Sequence, residues 1–423
     1  MLDINFIRQN PKIVEEKAKQ KGYEVDVEKL LKVDEDRRKL IEAVDKLRSK
    51  RKDAAEKRDE KQGLELKHQL KEKEGKLEKL NEDFYILIRE IPNIPTGDVP
   101  VGKDETGNKP IRKWGIPKKF DFKVKDYQQI GESLDIIDTK TAAEVSGSRF
   151  GYIKGSLVIV QFALIQYALE LLTNKSQLAK ISKYNPKPFI PVIPPVMIKP
   201  TVFDQMARLE PKEERYYLEK DNLYLIGSSE HTLGPMHMNQ TLNEKDLPIR
   251  YVGYSTSFRR EAGSYGKDTK GIFRVHQFDK LEIESFTLPE ESQKEQNFIM
   301  AILEHLMQSL EIPYQVVMIC TGDMGGPDAR QIDIEAWFPA ENKYMETHTL
   351  DLMTDYQARR LNTKVKGKDG KTEYVHMNDA TVFAGRTLLA ILENYQAKDG
   401  SVAVPKVLQK YTGFTKIPSE KIG

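Results

Sequence analysis

Four side chains in one short stretch have the chemistry to hold a nucleotide and an amine together. Between Phe258 and Glu282 the chain reads FRREAGSYGKDTKGIFRVHQFDKLE. Arg259 and Glu261 stand two apart at the end of an apolar and aromatic run, YVGYSTSFRRE; a second run, IFRVHQF, carries Phe278 and leads to Glu282. A guanidinium grips a phosphate through two parallel hydrogen bonds, an aromatic face stacks a base, and a carboxylate binds an ammonium. Two such runs separated by a polar, glycine-containing segment predict antiparallel strands joined by a long loop, with these four residues projecting from them. The loop segment GSYGKDT is not a phosphate-binding P-loop. The spacing from Gly263 to Gly266-Lys267 is too short, Asp268 stands where a metal-binding Ser or Thr is required, and no strand-to-helix change surrounds it.

The elements that position these residues have to come from a chain of 423 residues, long enough for two or more units of roughly 100–200 residues each. Apolar residues make up 39%, enough for a core, and charged residues 31%, which is high. The net charge is only +2, so any polyanionic partner must be met by a local patch. The lone cysteine, Cys320, excludes intrachain disulfides and multi-cysteine zinc sites, suits a reducing compartment, and reads as a small core residue rather than a nucleophile. The opening MLDINFIRQNPKIVEEK has no secretory pattern. The most apolar segment, SLVIVQFALIQYALELL, contains Gln161 and Gln166, is short of a membrane span, and predicts a buried core helix. A cytoplasmic protein without a membrane partner is expected.

The first hundred residues follow a different pattern. Positions 33, 37, 40, 44, 47, 51 and 54, and again 66, 70, 73, 77, 80, 84 and 87, alternate in steps of four and three with mostly apolar side chains. Two heptad helices with a reversal at Lys61-Gln62-Gly63 predict an antiparallel helical coiled-coil arm a few tens of ångströms long. Its far end is basic: Lys46, Arg48, Lys50, Arg51, Lys52, Lys57, Arg58 and Lys61 face only four acidic residues over the same span. Such a run is either a solvated helical surface or a phosphate-tracking finger; attached to a nucleotide site, it favours RNA.

The Pro- and Gly-rich passage IPNIPTGDVPVGKDETGNKP ends the arm as a linker, dividing the chain into residues 1–105 and 106–423. Beyond it, helices alternate with strand-like runs such as YQVVMIC and QIDIEAWFP. Short connections between them predict an α+β fold around an antiparallel sheet flanked by helices, and no GxGxxG fingerprint follows a strand. In its opening LDINFIRQNPKIVEE, the heptad arm, the stretch from Phe258 to Glu282, DIEAWFP with KYMETHT and DYQARR behind it, and GRTLLAILENYQ, the chain resembles the class II aminoacyl-tRNA synthetases. Within them it is similar to seryl-tRNA synthetases of the bacterial-like type, over essentially its whole length.

That resemblance implies an enzyme that uses ATP and Mg²⁺ to activate L-serine and charge serine tRNA (and selenocysteine tRNA where one exists), as a homodimer whose arm grasps the tRNA. It implies catalytic roles for Arg259 at the α-phosphate and Arg386 at the γ-phosphate. Arg260, Glu261, Val275, Phe278, Thr347 and His348 complete an ATP site, and Glu346 and Thr349 hold the metal across the phosphates. Ser228, Ser229, Glu230, Arg259, Glu282, Asn378, Ala380 and Thr381 match the serine-binding positions, and the eight basic residues from Lys46 to Lys61 the tRNA-binding end of the arm. The chain departs from the family where Ser228 replaces a threonine, where Ala380 stands for a Ser or Thr (Thr381 next to it substitutes if the backbone slips by one residue), and at His348, which is either a packing residue or a contact to metal or phosphate. Two rivals are a catalytically inactive tRNA-binding paralogue and a ligase that charges a carrier protein. The joint presence of Arg259, Glu261, Glu282, Glu346 and Arg386 speaks against the first, and the long arm against the second.

Overall fold

The computed structural model describes residues 1–262 and 271–419, so the segment GSYGKDT lies outside the described residues. The chain divides into two compact units, Met1–Pro95 and Thr96–Gly423.

In the first unit, two short helices, α1 (Ile4–Gln9) and α2 (Pro11–Gln20), precede two long ones, α3 (Val27–Glu56) and α4 (Glu60–Glu90). The long pair runs about 45 Å at 1.5 Å per residue. Val44 and Ala54 from α3, and Leu66, Leu70 and Phe84 from α4, are the buried members of the seam the heptads specify. The reversal falls at 57–59, earlier than the glycine signal placed it. Asp59 caps α4 by accepting from the Gln62 backbone N–H, so Gly63 becomes an ordinary helical residue, while Arg58 takes the left-handed turn conformation at φ 56°. At the base of the hairpin Arg8 binds buried Asp34 through Nη2–Oδ2 at 2.7 Å, and Arg37 donates to Asn81 while lying over the Phe84 ring.

The second unit starts inside the passage read as a linker. Thr96 N donates to Ala329 O, Arg330 pairs with Asp98, and Thr321 N donates to Pro100 O. Prolines and glycines there shape a strap bound to the sheet, so the division falls at 95/96 and not at 105/106. The sheet comprises β1 (Lys109–Trp114), β2 (Ile190–Val192), β3 (Ile249–Phe258), β4 (Gln277–Thr287), β5 (Tyr314–Met318), β6 (Arg330–Phe338), β7 (Lys343–Thr354) and β8 (His376–Ala384). Its order is β1-β5-β6-β7-β8-β4-β3-β2, antiparallel except for the pairing of β2 with β3. Among the helices of this unit, those that pack on the sheet or border the site are α5 (Ser156–Leu172), α6 (Pro200–Gln205), α7 (Glu230–Leu233), α8 (Ser292–Ser309) and α9 (Gly385–Asn394).

Strand alternation decides what each face of the sheet does. On β4, Leu281 and Ile283 enter the main core with α5, α8 and α9, each contributing roughly 1.5–3 kcal/mol by burial. Lys280, Glu282 and Glu284 alternate with them and point to the opposite face. The run IFRVHQF becomes strand only from Gln277; before it, Phe273 is buried as a hydrophobic anchor and Arg259 N donates to His276 O. The apolar segment is α5, largely buried, and among the described residues no single helix is long and apolar enough to cross a membrane. Cys320 is a buried free thiol donating to Asp104 O at 3.1 Å.

Candidate active site

A cavity of about 240 Å³ opens over the polar face of the sheet. Arg259, Glu261, Val275, Phe278, Glu346, Thr347, Thr349 and Arg386 line one part of it; Glu230, Glu282 and Thr381 line another. Arg208, Arg274, Lys280, Asp351 and Asp379 join them, none of which the motifs singled out.

The first part is built on strand ends. Arg259 leaves β3, donates through Nε to Gly227 O at 3.2 Å, and carries its guanidinium 5.4 Å from the centre of the Phe278 ring. A planar cation and an aromatic face thus lie side by side, the pairing that stacks a base and grips a phosphate. Arg386, in the first turn of α9, lies 4.6 Å over Phe273 and reaches Glu346 Oε2 at 2.9 Å. Partial desolvation in the cleft raises the pKa of Glu346, whose side chain stays half exposed, but Arg386, with Arg259 and Arg274 behind it, outweighs this and holds the carboxyl below its ordinary value. Thr349 Oγ1 donates to Glu346 Oε1 at 3.4 Å, so a carboxylate and a hydroxyl present hard oxygens to the same space, a donor pair that fits Mg²⁺.

Two residues expected beside the nucleotide are turned away. Arg260 is exposed, donating to Arg215 O and lying over Tyr216. His348 is buried with Nδ1 2.8 Å from Thr347 Oγ1, its pKa pushed down to about 4 by burial; it is a packing residue.

The second part is a buried charge network. Arg208, on the turn after α6, lies 3.1 Å from Glu230 Oε1 and 3.1 Å from Asp379 Oδ2, with Asp328 and Asp351 at 3.3 and 3.4 Å. Lys280 Nζ is 2.8 Å from Glu282 Oε2 and donates to Ser228 Oγ, which in turn reaches Glu230 Oε2 at 3.5 Å. Burial pushes Glu282 up to about 7, although Lys280 pulls it down; Glu230 raises it further. Glu230 is itself buried, yet Arg208, His231 and Lys280 keep it ionised. His231 Nδ1 accepts from Gly227 N, so its proton sits on Nε2, 3.4 Å from Glu230 Oε1; burial drives its pKa down to about 4, and the ring stays neutral.

Ser229 faces away from the cavity and donates to Gly253 O. A Cβ at Gly253 would press on Leu233 Cδ1 at 2.7 Å and on Ser229 Oγ at 3.0 Å, so glycine here lets Ser229 and Leu233 pack closely against β3. On β8, parity corrects two expectations. Asp379 and Thr381 face the cavity, opposite Glu284 and Glu282 on β4. Ala380 belongs to the apolar core, and Asn378, fully buried, does not line the cavity. The hydroxyl at this wall is therefore Thr381, next to an irregularity at Val382 where the register of β8 against β4 shifts by one residue.

Residues 215–395 match the family model described as tRNA synthetase class II core domain (G, H, P, S and T), and residues 1–95 match the seryl-tRNA synthetase N-terminal domain. A serine–tRNA ligase from Pyrococcus horikoshii is 40% identical over all of this chain and 98% of its own length. One from Symbiobacterium thermophilum is 36% identical over 99% of this chain and its entire length. The chain belongs to the seryl-tRNA synthetases. The crystal structure of the Pyrococcus horikoshii seryl-tRNA synthetase complexed with ATP superimposes with a TM-score of 0.88 at 39% identity, covering 99% of both chains. The long hairpin and the antiparallel sheet found here are thus the architecture of this class II synthetase family.

Proposed function

We propose that this synthetase activates L-serine with ATP to form seryl-adenylate and transfers the acyl group to serine tRNA. The observation that carries the reading is one cavity lined both by an arginine–aromatic pair, Arg259 and Phe278, and by the buried carboxylates Glu230 and Glu282 with the Thr381 hydroxyl. Phe278 stacks adenine, Glu261 lies at its polar edge, and Arg259 and Arg386 neutralise charge on the phosphates. The serine carboxylate attacks the α-phosphorus, the bond to the β-phosphate oxygen breaks, and pyrophosphate leaves. The attacking group is already an anion, so no protein base is needed, and catalysis is positioning plus charge stabilisation. Mg²⁺ supplies charge neutralisation across the phosphates when bound, with Glu346 and Thr349 as the residues to hold it.

Glu230 and Glu282 bind the ammonium, and the serine hydroxyl donates to a neighbouring carboxylate and accepts from Thr381, so alanine, which leaves these groups unpaired, is rejected. In the second step a terminal adenosine hydroxyl of the tRNA attacks the acyl carbon and AMP leaves. The exposed basic end of the arm, Lys46 to Lys61, binds tRNA phosphates, and the same chemistry extends to a selenocysteine tRNA. A homodimer belongs to this reading, supported by the edge strand β2 and its exposed Ile190 and Ile193. A cytoplasmic location follows from the substrate and suits the free thiol of Cys320. The test is serine-dependent ATP–pyrophosphate exchange followed by charging of serine tRNA. Exchange with serine well above that with alanine or threonine is expected; exchange with neither ATP nor serine dependence overturns the reading.

A further inference from the structure

We propose that Asp379 is a specificity-determining residue of the amino-acid pocket, a third carboxylate that binds the substrate ammonium together with Glu230 and Glu282. The inference rests on the serine reading of this cavity and goes beyond it, because the resemblance puts an uncharged asparagine beside the pocket and strand parity here puts an aspartate there.

The spacing of the carboxylates admits an ammonium. One carboxylate oxygen from each of Glu230, Glu282 and Asp379 lies within 4.8 Å of the other two. An ammonium donating three hydrogen bonds of about 2.8 Å at tetrahedral angles requires its acceptors about 4.6 Å apart. Cations also already serve these carboxylates: Arg208 sits on Glu230 and Asp379, and Lys280 on Glu282. What the three lack is a small donor at their centre with three N–H groups.

Charge points the same way. Asp379 shares the cavity with Lys280 and Glu282 from β4, pairs across the sheet with Glu284 of β4 and Asp351 of β7, and lies among Glu230 with neutral His231 from α7, Asp328 from the turn before β6, and Arg208 from the turn after α6. Six carboxyl groups thus share two cations. Burial, then Glu230, raises the Asp379 pKa, and burial, then Asp379, raises that of Glu284. A substrate ammonium supplies the positive charge that lets these groups ionise together, so its binding releases protons.

Asp379→Asn, nearly isosteric, and Asp379→Ala test this in ATP–pyrophosphate exchange on the full chain. Serine KM should rise on the order of 10-fold or more in both, with ATP KM changed less than about 2-fold, since ATP touches the other end of the cavity. In the native protein serine KM should fall as pH rises from 6 to 8. In Asp379→Asn that fall should move to lower pH, because Glu282 loses a like charge, a shift that mere loss of packing does not produce. Unchanged serine KM in both variants, with exchange intact in the native protein, overturns the inference alone. Serine binding that, in equilibrium dialysis without ATP, is abolished by EDTA and restored by Mg²⁺ or Zn²⁺ makes the triad a metal site and also overturns it. Absence of serine-dependent exchange in the native protein overturns the serine reading itself and the inference with it.

Discussion

Arg386 Nη1 lies 2.9 Å from Glu346 Oε2 and donates to the backbone oxygen of the same residue at 3.2 Å. The arginine assigned to the γ-phosphate and the carboxylate assigned to the metal therefore hold one another. On the proposed reading a polyphosphate with its Mg²⁺ would engage both partners at once, exchanging one ion pair for two, so that each residue presets the position of the other. Arg386→Ala should lower the activation rate on the order of 10²-fold or more. Glu346→Gln should raise the Mg²⁺ concentration needed for half-maximal exchange. The double variant should lose much less than the product of the single losses, because the two act as one unit. Strictly multiplicative losses in pyrophosphate exchange would refute the coupling.

Arg259 gives a sharper test of geometry than of charge. Its guanidinium is fixed between Gly227 O and the Phe278 ring. Arg259→Lys keeps the charge but loses both the planar stack and the paired donors. Lys and Ala at this position should therefore be similarly poor, each down on the order of 10²-fold in exchange, with unchanged thermal unfolding. A lysine variant close to native activity would show that charge alone suffices.

Much of this site was legible from residue order, and what was missed has physical reasons. Phe278, Lys280 and Glu282 follow the period of two along β4, and Leu281 and Ile283 fill the core between them, so even Lys280 carried a readable signal. On β8 the choice between Asn378 and Asp379 depends on parity set by the pairing of Glu282 with Thr381, a long-range fact that composition does not encode. Arg208 sits in an irregular turn with no period at all, and only tertiary packing brings it to four carboxylates. The arm is the most legible element because its pattern is local, yet its reversal falls before Gly63, since the Asp59 cap with Gln62 three residues on is a stronger helix-start signal than a glycine is a stop.

Glu282 should cost stability at the pH where it works. Its carboxyl titrates at about 7 in the fold, above the ordinary 4.5, so between these values the folded protein holds a proton that the unfolded chain releases. Stability must then fall as pH rises from about 4.5 to 7, with the penalty fully present above 7. Glu282→Gln removes this penalty and should be more stable than the native protein at pH 8, on the order of 1–3 kcal/mol, while the advantage shrinks toward pH 5. The same variant should lose serine activation. Denaturant unfolding at the two pH values checks the sign, and a larger advantage at pH 5 would contradict it.

The arm offers a division of labour that a deletion can test. Its tip carries Lys46, Arg48, Lys50, Arg51, Lys52, Lys57, Arg58 and Lys61, all exposed. Lys46 and Arg48 are tied to Glu42 and Glu74, which leaves the remaining charge nearest the turn for phosphates. Affinity for serine tRNA should drop steeply between 50 and 200 mM salt, and neutralising four of the tip residues should flatten that dependence, since each phosphate contact contributes about one counterion. The base of the hairpin is held by Arg8–Asp34 and by Arg37 with Asn81 and Phe84, so the cut belongs beyond them. Removing residues 41–77 and joining Leu40 to Glu78 through a short glycine turn keeps those contacts. The residues proposed for serine and ATP all belong to the second unit, so seryl-adenylate formation should stay near the native rate while tRNA charging falls by two orders of magnitude or more. Full charging by the shortened protein, or loss of adenylate formation in a shortened protein that still melts cooperatively, would contradict the assignment of tRNA binding to the arm.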